Sequence, residues 1–219
     1  MAIDLAKIYS KRFSETGVDK KNRVWKVLCE NFFQQFVDEN ATVMDLACGY
    51  GEFINNIRAG KKIAVDLNPD ASRYLSQEVS FINQQADNIS RVKTGSVDVV
   101  FTSNFFEHLA SKEQLIQVIE EINRCLSAGG IFIVMGPNIK YTYDVYWDFF
   151  DHLLPLSELS AQEGLEIGGF DCERVIDRFL PYTMKNKTPT NDILIKTYLK
   201  LPVAWKFMGK QFLIVARKK

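Results

Sequence analysis

The hydrophobic positions between residues 41 and 136 follow two alternating patterns. Short, continuous apolar runs are typical of buried strands, and they alternate with segments whose apolar residues recur every three or four positions, as in helices. The five apolar runs are residues 41–46, 62–67, 79–83, 97–102 and 131–135. Apolar strands that alternate with helices indicate a parallel sheet covered on both faces.

Capping residues and apolar spacing predict where the helices begin. Residues 20–37 carry apolar side chains at helical spacing, with charged residues between them. Residues 52–59 are expected to form the helix after the first strand and its loop. Asn68, which precedes a proline, is expected to cap the next helix. Ser111 with Gln114 predicts a capping box at the start of a later helix.

The C-terminal third departs from this alternation. Residues 157–164 are predicted to be helical, and residues 172–179 and 211–217 to be the sixth and seventh strands. The residues between these two strands, 180–210, are more than a turn requires, which indicates a lid-like insertion. The whole pattern predicts an α/β fold with a doubly wound, mostly parallel, Rossmann-like sheet.

Size and charge narrow the classes of function. A chain of 219 residues is long enough for one domain with a full core, so we expect a single domain over residues 1–219 that begins with a helical segment at 1–38. Its 27 Lys and Arg residues balance its 27 Asp and Glu residues. This balance argues against a protein that binds nucleic acid by bulk electrostatics.

Cysteine spacing and hydropathy bear on the compartment. The four cysteines are scattered without a CxxC pair, so neither a disulfide framework nor a zinc site is expected. Reduced thiols are typical of cytosolic proteins. The first residues lack the apolar run of a signal peptide, and no apolar run reaches membrane-spanning length. We therefore expect a cytoplasmic protein with at most peripheral membrane contact.

A glycine-containing loop follows the first predicted strand. Gly49 and Gly51 allow a tight turn and the close approach of a ligand at the sheet edge where this class of fold binds ligands. The dinucleotide fingerprint requires a third glycine at position 54, which is Ile54 here. Asp45 at the start of the loop disfavours a pyrophosphate and favours a ligand with positive charge. S-adenosylmethionine fits such a loop, because it carries an ammonium group and a sulfonium and has no phosphate.

Acidic residues also follow the next two strands. Asp66 ends the second strand, where a carboxylate can accept hydrogen bonds from both ribose hydroxyls. Asp87 and Asn88 lie just beyond the third strand, where an adenine amino group needs an acceptor. Three such groups at successive strand ends favour a nucleoside site over three unrelated loop residues.

Five sequence runs resemble the class I S-adenosylmethionine-dependent methyltransferases over residues 40–177. The runs are D-L-A-C-G-Y-G-E-F, A-V-D-L-N-P, Q-A-D-N, D-V-V-F-T-S-N-F-F-E-H-L and L-S-A-G-G-I-F-I-V-M-G-P-N. One departure is Ala47, where that family commonly has glycine, although alanine is small enough to keep the loop close to a ligand. The resemblance implies a seven-stranded sheet whose last strand is antiparallel, and S-adenosylmethionine as the cofactor, with S-adenosylhomocysteine as its product.

The candidate cofactor site follows from these positions. Its residues are Asp45, Ala47, Gly49, Gly51, Asp66, Leu67, Asp87, Asn88, Asn104, Phe105 and Phe13. Asn104 and Phe105 follow the fourth strand and are expected to border the methionine part of the cofactor. Phe13 belongs to an N-terminal segment that either folds over the cofactor as a lid or packs on the sheet.

The two histidines are the candidate general bases. His108 follows the fourth strand and His152 follows the fifth, so both are expected at the ligand edge of the sheet. We rank His152 ahead because it leads into the part of the chain that is expected to face the acceptor. Proximity alone, a carboxylate, or a tyrosine is the alternative. Glu107 beside His108 is too small a set to define a metal site, so no metal is expected.

The C-terminal runs D-H-L-L-P-L-S-E-L-S-A-Q-E-G-L-E-I-G-G-F and R-F-L-P-Y-T-M-K resemble methyltransferases of bacterial polysaccharide and glycan biosynthesis. The acceptor is thus expected to be a small molecule or a lipid-linked glycan. The insertion at 180–210 carries aromatic residues that could stack on sugars and lysines that could meet phosphates, including Lys185 and Lys187. It could also be an interfacial helix, or an ordinary packed lid.

Two other functions remain open at this point. A catalytically silent S-adenosylmethionine-binding partner subunit would share the cofactor residues. A nicotinamide-dependent oxidoreductase is disfavoured by Ile54 and Asp45. The sequence indicates neither the atom methylated nor the oligomeric state.

Overall fold

The computed structural model describes residues 15–182 and 191–219, with side chains from Lys20 onward within those ranges. Its strands are β1 Thr42–Leu46, β2 Lys61–Asp66, β3 Val79–Asn83, β4 Val97–Ser103, β5 Leu126–Pro137, β6 Phe170–Ile176 and β7 Gln211–Lys218. Its α-helices are α1 Glu15–Asn31, α2 Lys112–Cys125, α3 Ile139–Thr142, α4 Glu158–Ile167, α5 Asp192–Leu199 and α6 Pro202–Met208. Short 3-10 helices span Phe33–Phe36, Pro69–Tyr74, Phe106–His108 and Tyr146–Asp148.

The seven strands form one sheet in the order β3-β2-β1-β4-β5-β7-β6. Strands β1 to β5 pair in parallel, and β7 runs antiparallel to both β5 and β6. The predicted seven-stranded, mostly parallel fold with an antiparallel last strand is therefore confirmed. Because β1, β2, β4 and β5 are parallel, their carboxyl ends lie at one edge of the sheet, and we call this edge the ligand edge.

Hydrophobic cores cover both faces of the sheet. Met44 and Leu46 of β1 face one core, which includes apolar residues of α2 and α4, while Val43 faces the other. The second core is rich in aromatic side chains. They come from α1 and the residues that follow it, from the segment after β1, from β4, and from the connection between β6 and β7: Trp25, Phe32, Phe33, Phe53, Phe101, Phe179 and Trp205. Burial on both faces explains why the strands are apolar throughout and not alternating.

The helix predicted at residues 52–59 does not form. This segment is a series of turns with only two helix-type bonds, from the N–H groups of Asn55 and Ile57 to the carbonyl groups four residues before them. Asn55 donates its side-chain amide to the Tyr74 carbonyl oxygen, and Asn56 donates its amide to the Glu52 carbonyl oxygen. The Asn55 side chain also accepts from the Ser76 N–H, so a contact with another segment holds these turns, which the apolar spacing alone does not reveal.

The capping residues predicted for two other helices, Asn68 and Ser111, do cap a segment, but the details differ from the prediction. The Asn68 side chain accepts a hydrogen bond from the Asp70 N–H, but the segment it caps is a 3-10 helix. Ser111 accepts from the Gln114 N–H as predicted. The Gln114 side chain does not return to Ser111, since it accepts from the Ala110 N–H. The predicted capping box is therefore only half correct.

The insertion between β6 and β7 forms α5 and α6 and packs against α1. The Trp205 indole donates a hydrogen bond to the Tyr198 carbonyl oxygen, and its ring contacts Phe32 and Phe179 edge-on. Arg23 of α1 pairs with Asp192 at the start of α5. Lys185, Lys187 and Phe13 lie outside the described residues. A search of the described helices finds no membrane-spanning candidate, because none is both long and apolar enough.

Candidate active site

The loop after β1 turns sharply at the ligand edge. Ala47, Gly49 and Gly51 all have positive φ angles, of 56°, 55° and 73°. The Cys48 N–H donates to the Val65 carbonyl oxygen of β2, which holds the loop between the two strands. A Cβ on Gly49 would meet nothing within 4 Å, whereas one on Gly51 would lie 2.5 Å from Leu75. Gly51 is thus favoured mainly by its positive φ, because the end of the Leu75 side chain could move, and Gly49 leaves open space that fits a closely approaching ligand.

Asp66 joins this loop to the end of β2. Its Oδ2 atom accepts a hydrogen bond from the Gly49 N–H at 2.8 Å, and its Oδ1 atom accepts from the Asn68 N–H at 2.8 Å. Burial raises the pKa of this carboxyl group, and the backbone hydrogen bonds oppose that rise. The Leu67 N–H also bonds to this carboxylate, so three of its roughly four lone-pair sites are used and about one remains for a ribose hydroxyl.

Asp45 is almost completely buried beneath the loop, at 3% exposure. Its carboxylate accepts a hydrogen bond from the Ile54 N–H. Burial, followed by the neighbouring Glu52 carboxylate, raises the pKa of Asp45 well above its usual value. The observed role of Asp45 is therefore to hold the loop, and its contact with a cofactor ammonium group stays a prediction.

The remaining predicted cofactor residues lie around this loop and the neighbouring strand ends. Leu67 is half exposed. Asp87 accepts a hydrogen bond from the Gln114 side chain at 3.3 Å, and Asn88 is exposed. Asn104 has a positive φ of 50° and donates its N–H to the Met135 carbonyl oxygen. This conformation and this bond fix the turn after β4, which leads into Phe105. Contacts of these residues with a cofactor remain predictions.

His108 is held by Asp151, from the segment after β5. The His108 Nδ1 atom lies 3.0 Å from the Asp151 carbonyl oxygen and 3.3 Å from the Asp151 Oδ2 atom. Asp151 is buried, whereas the His108 side chain is 24% exposed. An acceptor at Nδ1 fixes the proton on that nitrogen in the neutral ring and leaves Nε2 able to accept a proton.

His152 is the second histidine of the cluster, and its ring centroid lies 5.2 Å from that of His108. It is 5% exposed and stacks on Phe149 with centroids 4.7 Å apart. The Tyr182 hydroxyl lies 3.4 Å from its Nδ1 atom and 3.5 Å from its Nε2 atom. The structure thus brings the two predicted bases together.

Glu107 and Tyr146 complete the cluster below the histidines. Glu107 is 3% exposed, and burial raises its pKa to about 7, while the neighbouring His108 opposes the rise. Its Oε2 atom and the Tyr146 hydroxyl are both buried and have no hydrogen-bond partner among the described residues. The Glu107 carbonyl oxygen accepts from the N–H groups of Leu153 and Leu154, which ties the two segments together.

Glu107, His108 and His152 could also hold a metal ion. One ligand atom from each lies within 4.8 Å of the others. The expectation of no metal considered only the sequence neighbours Glu107 and His108, and His152 comes from a separate segment.

Several residues of this cluster were not predicted from the sequence. Asp151 directly precedes His152 in the sequence, whereas its side chain contacts His108. The paired Glu-His and Asp-His dipeptides, one after each of two adjacent strands, are the signal that could have indicated the cluster. Tyr146 carries no such signal, because a buried tyrosine is common in any core.

Comparisons with known proteins bear on the fold and on the cofactor. A family model described as a methyltransferase domain matches residues 44–134, a little under half of the chain. Solved structures with the same fold include a SAM-dependent methyltransferase from Archaeoglobus fulgidus, with 18% identity, a TM-score of 0.67 and coverage of 90% of this chain and 94% of that one. A SAM-dependent methyltransferase from Thermotoga maritima matches with 14% identity, a TM-score of 0.66 and coverage of 90% and 91%.

A third structure contains the cofactor. It is a geranyl diphosphate methyltransferase in complex with SAM, with 15% identity, a TM-score of 0.64 and coverage of 90% of this chain and 85% of that one. At these identities the structural likeness describes the fold. Residues 44–134 therefore match the methyltransferase domain, the described chain has the α/β methyltransferase fold, and S-adenosylmethionine is the cofactor that these matches support.

Proposed function

We propose that the protein is an S-adenosylmethionine-dependent methyltransferase that O-methylates a sugar, a glycan or another small-molecule hydroxyl. The observation that carries this proposal is the histidine cluster at the ligand edge, next in the sheet to the loop of Gly49 and Asp66. A histidine can take the proton that a hydroxyl acceptor loses, so a histidine cluster at this edge favours a hydroxyl acceptor.

The cofactor would be held by the loop and the strand ends. Asp66 offers acceptors for ribose hydroxyls, and Gly49 offers the open space for close approach. When bound, S-adenosylmethionine would supply a sulfonium-activated methyl group to the acceptor oxygen, with S-adenosylhomocysteine as the leaving group. Because that methyl group is already activated, the chain mainly has to orient the acceptor and receive its proton.

The proton of the acceptor hydroxyl would pass to one of the two histidines. His152 remains the first candidate, because Phe149 and Tyr146 fix its ring beside the edge. His108 is the second, since Asp151 can stabilise the positive charge of its ring after the proton arrives.

The glycan class of acceptor is supported by the sequence resemblance in residues 151–185. The aromatic ring of Tyr182, close to His152, is consistent with a sugar acceptor because sugars stack on aromatic rings.

Binding and turnover assays test this proposal in sequence. Calorimetry should detect binding of S-adenosylhomocysteine and not of NAD, and NAD binding alone would favour an oxidoreductase. Turnover over a panel of nucleotide-sugar and lipid-linked glycan acceptors should then release S-adenosylhomocysteine. Binding without turnover on any acceptor would favour a catalytically silent partner subunit.

A further inference from the structure

The insertion exposes an apolar face that is also basic. Its apolar members are Ile193, Leu194, Leu201, Val203, Phe207 and Met208, each at least half exposed, and its basic members are Lys196, Lys200 and Lys206. We call this set the α5–α6 face. An exposed group of large apolar side chains on two consecutive short helices marks an interaction surface more often than a solvated one.

The opposite sides of both helices are already anchored. Leu199 and Trp205 are buried in the core, and the Tyr198 hydroxyl donates to the Phe179 carbonyl oxygen at 2.6 Å. The α5–α6 face is therefore not the core-facing side of helices that failed to dock. Both helices carry apolar residues on the side that faces the core and on the side that faces outward. No described part of the chain covers the outward side.

Charge distinguishes between the occupants that could cover this face. Residues 192–210 contain four lysines and one acidic residue, Asp192, whose charge is paired with Arg23 of α1, in a chain whose net charge is zero. A second copy that placed the same face against itself would oppose lysines with lysines, which is unfavourable. An anionic lipid surface satisfies both components, because its headgroups attract the lysines and its acyl region accepts the apolar side chains.

A second set of exposed side chains adjoins this face. Lys210, after α6, pairs with Asp144 at 3.3 Å, and the Arg178 side chain bonds to the Phe207 carbonyl oxygen while it covers the Tyr141 ring. These contacts bring the end of α6 beside the segment that carries exposed Tyr143, Trp147 and Phe150. Tyr and Trp are the residues that membrane interfaces favour.

We propose that the α5–α6 face docks the protein on an anionic lipid bilayer, with the lysines at the headgroups and Val203 and Phe207 inserted at the acyl boundary. The segment that carries these aromatic residues leads directly to Asp151 and His152. Docking in this orientation would bring the membrane surface close to the candidate active site. Lipid binding does not depend on methyl transfer, so it stands or fails independently of the proposed function.

Co-sedimentation of the purified full-length protein with vesicles tests this proposal. The wild type is expected to bind vesicles of phosphatidylcholine with phosphatidylglycerol, to bind phosphatidylcholine vesicles weakly, and to dissociate as salt rises. The triple variant Lys196→Glu, Lys200→Glu, Lys206→Glu and the double variant Val203→Ser, Phe207→Ser should each lose at least about tenfold in affinity.

Matched controls separate the face from general surface effects. Leu159→Ser with Ile167→Ser replaces two exposed apolar residues on α4. Lys26→Glu with Lys93→Glu and Lys112→Glu reverses three exposed charges elsewhere. Both variants should bind vesicles like the wild type. Circular dichroism and S-adenosylhomocysteine binding should be unchanged in every variant. Absence of wild-type vesicle binding, equal binding by the face variants, or a face-dependent dimer without vesicle binding would each overturn the proposal.

Discussion

The imidazole of His108 is held by Asp151 through both the backbone carbonyl oxygen, at 3.0 Å from Nδ1, and the carboxylate, at 3.3 Å. The two residues are separated by 43 positions in the chain and follow different strands. Asp151, after β5, thus orients the ring of His108, after β4. The orientation of this candidate base therefore depends on how the two segments pack.

Replacing Asp151 tests this positioning role. Asp151→Asn keeps the backbone contact and removes the negative charge, so we expect kcat to fall about tenfold or more while the Kd for S-adenosylhomocysteine stays the same. Asp151→Glu should recover part of the lost kcat. A variant that loses kcat and cofactor affinity together would point to a general structural role for Asp151.

The two histidines should differ in their contribution to turnover. Loss of a general base typically lowers the rate by about a hundredfold to ten-thousandfold. We expect His152→Ala to lower kcat in this range with near-normal cofactor affinity, and His108→Ala to have the smaller effect. Steady-state kinetics on the identified acceptor measures both. Near-wild-type turnover in both variants would exclude a histidine base.

Asp66 should determine cofactor affinity. Asp66→Asn removes a charged acceptor for ribose hydroxyls, and we expect a loss of about 1.5–3 kcal/mol, more than tenfold in affinity, by calorimetry. Asp98→Asn is the matched control, because Asp98 accepts hydrogen bonds from Thr42 and Ser127 at the start of β4, away from the ligand edge. Unchanged affinity in Asp66→Asn would refute the assignment.

Ala47 should be strained by its positive φ of 56°. The left-handed conformation costs an L-residue about 1–2 kcal/mol, and glycine loses about 0.5–1 kcal/mol through its larger unfolded-state entropy. We therefore expect Ala47→Gly to stabilise the protein by about 0.5–1 kcal/mol in urea denaturation. Ala110→Gly, at an exposed position with ordinary backbone, should destabilise it.

Glu107 should make the stability fall as the pH rises. Its carboxyl has a pKa of about 7 in the folded protein, above the ordinary value of 4.5, so the folded state retains a proton that the unfolded state has lost between these values. The stabilising contribution is complete below pH 4.5 and is lost as the pH rises towards 7 and beyond. Glu107→Gln mimics the protonated acid and removes this dependence.

The measurement compares urea denaturation of the wild type and Glu107→Gln at pH 5 and pH 8 in the presence of a chelator. From pH 5 to pH 8, the free energy of unfolding of the wild type should fall by about 2–3 kcal/mol relative to that of Glu107→Gln. A difference that stays constant with pH would show that Glu107 is ionised in the folded protein.

Local features of the fold were predictable because neighbouring residues determine them. The apolar runs give the strands, and Asn68 and Ser111 cap the segments they were expected to cap. The failed helix at 52–59 depends on Asn55, whose side chain bonds to Tyr74 in another part of the chain. Propensity and spacing do not report such a contact.

The site was predictable only in part for the same reason. Each histidine could be assigned to the ligand edge from the strand that precedes it. The contact between His108 and Asp151, the burial of Glu107, and the position of Tyr146 depend on how two loops pack after the sheet forms. The strain at Ala47 is likewise invisible in the sequence, because the side chain is small enough for the loop and only the folded loop determines its φ angle.

The position of β7 between β5 and β6 has a consequence for the order of folding. Strand β6 pairs only with β7 within the described sheet, yet it precedes β7 in the chain by the whole insertion. During synthesis on the ribosome, β6 thus has no partner when it emerges, and the edge of β5 stays open until β7 follows. The insertion must close as a loop before this part of the sheet can assemble, so β6, α5 and α6 should gain their protection from hydrogen exchange together with β7, later than β1 to β4.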